Sequence, residues 1–132
     1  MVEDQIRQAI RKKQTADGEL FCVSAFQIAE ALDVEPLAVG QEADESGARL
    51  SRCQLGLFGY GPKAEGRHKI VGPADEVAPD LAQAIRDRKG ERGLSCKAAW
   101  EIAASLEIPK MQVASAAEAL EVKIVHCQLG AF

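Results

Sequence analysis

Apolar positions along the chain fall into two spacings that recur in the same order. Ile6 and Ile10 lie four apart, as do Leu81 and Ile85, so each pair occupies one face of an amphipathic helix. These helices are expected over about Val2 to Lys13 and about Ala78 to Lys89. A glycine-containing turn follows each, Asp17-Gly18 or Gly90 to Gly93, and then a short apolar segment, "LFCV" or "LSC", predicts a brief strand. Ile28, Ala29, Leu32 and Val34 next fit a helix that stops at a turn, and Val39 and Ala43 carry the pattern onto a second helix. Pro36 and Pro109 stand near the start of that second helix, where a missing N–H costs nothing. Finally Ser51, Cys53, Leu55 and Leu57 alternate with their neighbours, as do Val125, Cys127 and Leu129. A period of two predicts strands there.

The recurrence is a duplication. Sliding the chain by 74 lays 20–58 over 94–132 without a gap, and 13 of those 39 positions are identical. The most conspicuous match is a hexapeptide, "CQLGLF" at 53–58 and "CQLGAF" at 127–132. Agreement at apolar positions implies one fold built twice. The expected units are 1–71 and 72–132, joined through "VGPADEVAPD" at 71–80, whose prolines and acids suit a linker running into a helix.

Small Ala29 and Ala103 allow the two central helices of each unit to cross closely, and the spacing resembles a helix-turn-helix. Asp33 and Glu107 occupy the turn where many such motifs carry glycine. Helix, short strand, helix-turn-helix, strand is the order found in the winged helix-turn-helix superfamily, and most of both units resembles it. The resemblance implies a mainly α fold with small β wings (α+β), tandemly duplicated. It also implies DNA binding through the second helix and the wing, although some relatives of that kind are protein-interaction modules.

Charge complicates the DNA expectation. The chain carries a formal net charge of −4, with 16 Lys and Arg against 20 Asp and Glu. The first candidate recognition helix, Pro36 to Gly47, contains Glu42, Asp44 and Glu45 and no Lys or Arg. The second, Pro109 to Glu121, sets Lys110 against Glu118 and Glu121. Gln41 and Gln112 remain as base readers. Between Arg49 and Lys69 the balance reverses: Arg49, Arg52, Lys63, Arg67 and Lys69 face only Glu65, with His68 beside them in the glycine-rich "GYGPKAEGRHK". That segment reads either as a solvated loop or as a basic wing touching phosphates. The second unit has no counterpart to it, so the halves are expected to play different parts.

Four cysteines occupy matched positions, Cys22 with Cys96 and Cys53 with Cys127. Placed on adjacent strands, each pair fills a tight place in the core, which makes them structural thiols. A redox pair is the alternative. A zinc or iron–sulfur site fits the ligand count but not the usual spacing, and His68 and His126 do not supply metal-ligand spacing.

No phosphate loop or nucleophile elbow is present, so neither an enzyme nor a cofactor is expected. The opening residues carry no apolar signal core and no run reaches membrane-spanning length, which leads to an expected cytoplasmic location without a membrane partner. The expected function is DNA binding in transcription regulation, with double-stranded DNA as the partner. The alternatives are an adaptor of the same fold that binds a protein partner instead, and a thiol-based redox sensor.

Overall fold

The structure, a computed structural model, describes residues 2–60 and 69–132. It is mainly helical with short strands. The chain runs α1 (Val2–Lys13), β1 (Glu19–Phe21), α2 (Cys22–Leu32), α3 (Pro36–Ser46) and β2 (Arg49–Ser51). It then repeats that order as α4 (Pro79–Arg88), β3 (Leu94–Ser95), α5 (Cys96–Leu106), α6 (Lys110–Ala119) and β4 (Ile124–Val125).

Two compact units result. Unit 1 comprises Met1–Cys53, Phe58–His68 and Gln128–Ala131; unit 2 comprises Gln54–Leu57, Lys69–Cys127 and Phe132. The boundaries therefore fall inside the two hexapeptides.

In unit 1, α1 carries Glu3 and Asp4 in its first turn and Arg11, Lys12 and Lys13 in its last. Acids at the start and bases at the end both favour the helix dipole. Ile6 and Ile10 are buried from this helix, Ala25, Ile28 and Ala29 from α2, and Val39 and Ala43 from α3. Leu20 and Leu129 complete that core. Unit 2 buries Leu81 and Ile85 from α4, Ala99 and Ile102 from α5, and Val113 and Ala117 from α6. Leu94 and Leu55 join them.

The helix pairs α2–α3 and α5–α6 are each separated by a residue in the left-handed region, Asp33 at φ 53° and Glu107 at φ 55°. The backbone N–H of Asp33 donates to Ala29 and Glu30 carbonyls and that of Glu107 to Ala103 and Ala104, which satisfies carbonyls freed at the helix ends. The turn thus keeps the conformation glycine would give it, with an acid in place.

The strands depart from the sequence expectation. β1 pairs with β2 in parallel, Glu19 opposite Arg49, Leu20 opposite Leu50 and Phe21 opposite Ser51. β3 pairs with β4 in the same way. Parallel neighbours require a long crossover, which α2 and α3 supply in unit 1. Among the described residues each sheet has only two strands.

The hexapeptides are turns rather than strands. β2 ends at Ser51 and β4 at Val125. The following residues, Arg52 (φ 50°) and His126 (φ 53°), turn left-handed and break the alternation. Each hexapeptide then closes on itself: the Cys53 N–H donates to the Phe58 carbonyl at 3.1 Å, and the Cys127 N–H to the Phe132 carbonyl at 3.3 Å. Gly56 (φ 77°) and Gly130 (φ 80°) supply the bend. The first-strand position expected for Cys22 is corrected too, because Cys22 is the first residue of α2, as Cys96 is of α5.

Candidate nucleic-acid interface

Unit 1 presents a cleft of about 860 Å³ along one side of α3. Leu37, Gly40, Gln41 and Asp44 line it from α3, with Ala48, Arg49 and Leu50 from β2 and its approach. Phe58, Gly59 and residues 129–131 close it. Gly40 is required at its base: a Cβ there would lie 1.8 Å from the Leu129 carbonyl oxygen. A smaller recess of about 380 Å³ adjoins β2 and is lined by Arg49, Arg52, Glu19, Ser51 and Tyr60 among others.

Arg49 lines both hollows. Its side chain is 71% exposed and stands 3.6 Å from a Glu19 carboxylate oxygen, beyond ordinary hydrogen-bonding distance. Arg52 holds its guanidinium 4.7 Å from the centre of the Phe21 ring, a cation–π contact that fixes the charge beside β1. Gln41 is exposed on α3. These three expected nucleic-acid contacts therefore belong to one unit, Gln41 and Arg49 at the larger cleft and Arg49 and Arg52 at the smaller recess.

The other expected contacts are placed elsewhere. Lys69 and Gln112 belong to unit 2. Lys69 makes an ion pair with Glu118, and Gln112 is exposed in the first turn of α6. Lys63, Arg67 and His68 lie outside the described residues.

Two of the acids that weigh against α3 as a DNA-facing helix have a structural partner. The Arg7 guanidinium donates from Nε to a Glu42 oxygen at 2.5 Å and from Nη2 to a Glu45 oxygen at 3.0 Å. These hydrogen bonds, that to Glu42 first, raise the guanidinium pKa still further above its usual range. Only Asp44 of the three acids faces the cleft. No sequence signal announces the pairing, because it joins positions 35 and 38 residues apart.

Sequence reasoning also passed over Tyr60. Its hydroxyl donates to the Cys53 carbonyl at 2.6 Å, tying the chain after the first hexapeptide back to its start. Burial raises the phenol pKa above its usual value, the neighbouring Cys53 and Cys22 raise it further, and Arg52 pulls the other way. Cys22, Cys53 and Cys96 are buried and Cys127 is half-buried. Among the described residues no three His, Cys, Asp or Glu side chains gather as metal ligands. No described helix is long and apolar enough to cross a membrane.

Comparison with known proteins adds no constraint: no protein-family model, curated protein or solved structure matches the chain.

Proposed function

We propose that this chain is a tandem winged-helix-like protein that binds double-stranded DNA in transcription regulation. Unit 1 makes the principal contact, and β2 with the basic segment after it leads, rather than the body of α3. The observation that carries this reading is the exposed Arg49, which lines the larger cleft with Gln41 and the smaller recess with Arg52. Two guanidiniums at this edge offer phosphate contacts, and Gln41 offers the bidentate amide that reads adenine. Pairing of Glu42 and Glu45 with Arg7 reduces the acidity that α3 would turn toward a phosphate backbone. The role is binding rather than catalysis.

The test is fluorescence anisotropy of a labelled duplex at low and at moderate salt. Binding should weaken steeply with salt, the log–log slope falling by about 0.9 for each phosphate contact made. Replacing Arg49 and Arg52 with alanine should flatten that slope by about two contacts while the circular dichroism stays native. An unchanged slope would remove the β2 edge from the interface.

A second reading, a protein-binding adaptor, is favoured by Asp44 and the 47% exposed Leu37 on the same cleft. Absence of duplex binding at low salt by folded protein would select it.

A further inference from the structure

Each hexapeptide has its ends in one unit and its centre in the other. Cys53 and Phe58 belong to unit 1, whereas Gln54–Leu57 belong to unit 2; Cys127 and Phe132 belong to unit 2, whereas Gln128–Ala131 belong to unit 1. The hydrogen bonds from the Cys53 N–H to the Phe58 carbonyl and from the Cys127 N–H to the Phe132 carbonyl therefore keep each loop base in the unit of its own repeat. Only the tips are exchanged.

The tips are built into the cores that receive them. In unit 1, Leu129 is 2% exposed. Its carbonyl oxygen occupies the place a Cβ on Gly40 would need, and a Cβ on Gly130 would lie 2.9 Å from Leu37 Cδ1 of α3. In unit 2, Leu55 is fully buried. The Gly56 carbonyl accepts from the Ile70 and Val71 N–H groups at 2.9 and 3.2 Å, and a Cβ on Gly56 would lie 3.4 Å from Met111 Sδ of α6. The repeat offset of 74 carries Gly56 onto Gly130 and Leu37 onto Met111. One pairing is thus made twice, with the repeats interchanged. Chance adhesion of a single loop would make it once.

We infer that this exchange couples the two units into one cooperative fold, so that the cleft beside Arg49 exists only while unit 2 is folded. Leu129, Gly130 and Ala131 form part of that cleft, and the residues on either side of the tip are held in unit 2. When unit 2 opens, the closure between Cys127 and Phe132 is lost. The entropy of ordering a free segment then opposes its return to α3. When unit 1 opens, Cys53 and Phe58 separate, and the tip carrying Leu55 loses its anchor in the same way. A core that loses a buried leucine is left with a cavity as well as lost burial. The second repeat thereby controls the first: whatever opens unit 2 removes a wall of the site in unit 1. The coupling does not depend on what the cleft binds.

The test is hydrogen exchange of the full chain across low urea concentrations, read by mass spectrometry on peptides from α1–α3 and from α4–α6. In the wild type the slowest amides of both sets should share one urea dependence, because they exchange through one opening. Leu129→Ala should accelerate both sets by a common factor of about 30 or more. Leu55→Ala, on the other tip, should do the same. Two distinct urea dependences in the wild type would overturn the inference. So would acceleration confined to one set, or absent from both. If neither variant folds, the wild-type urea dependences decide alone. No DNA enters the readout, so it stands or falls separately from the DNA-binding reading.

Discussion

Asp33 occupies φ 53° between α2 and α3, a region where an L side chain costs about 1–2 kcal/mol. Glycine removes that cost but loses about 0.5–1 kcal/mol to the greater freedom of the unfolded chain. Asp33→Gly should therefore raise stability by about 0.5–1 kcal/mol, read as a later urea midpoint with an unchanged slope; a midpoint that moves earlier would show that the carboxylate has work in the turn. Tyr60 gives a second residue-scale test. It is the sole tyrosine, so absorbance near 295 nm follows it alone. Its phenol should titrate above the usual value of about 10. In the unfolded chain the proton leaves first, so stability should fall as pH rises from about 10 towards the folded midpoint. A midpoint at or below the free value would place Tyr60 in water, away from both thiols.

At the scale of elements, helices were legible and the hexapeptides were not. Ile6 with Ile10 and Leu81 with Ile85 mark buried faces because a helix returns every 3.6 residues. Cys53 and Leu55 are both buried, as the alternation implied, yet they belong to a closed turn. A tight loop buries alternate residues as readily as a strand does, and periodicity cannot separate the two. Gly56 and Gly130 were readable warnings; Arg52 and His126 were not, since neither type announces positive φ. The glycine at the base of the cleft defines another element-scale test. Gly40→Ala would force its Cβ against the Leu129 carbonyl, and no side-chain adjustment relieves a clash with backbone. Its destabilisation should reach about 2–4 kcal/mol, measured by denaturant unfolding. A loss below about 0.5 kcal/mol, within the ordinary surface range, would mean residues 128–131 do not seat on α3.

Across the whole molecule, charge was the least readable property. A net of −4 and two acidic helices argued against nucleic acid, but totals do not say which carboxylates are already engaged. Arg7 takes two from α3, and Lys69 is itself taken by Glu118. The expected set of cations thus divides between units, Arg49 (71% exposed) and Arg52 in unit 1 and Lys69 in unit 2.

One consequence follows from where the two rarest aromatics fall. The only tyrosine is in unit 1, and the only tryptophan, Trp100, is in unit 2 with the Lys110 ammonium 4.5 Å from its ring. Each half therefore carries its own optical label. Phenol absorbance addresses the first and indole emission the second, so melting of either half can be followed by eye of the spectrometer without attaching a dye.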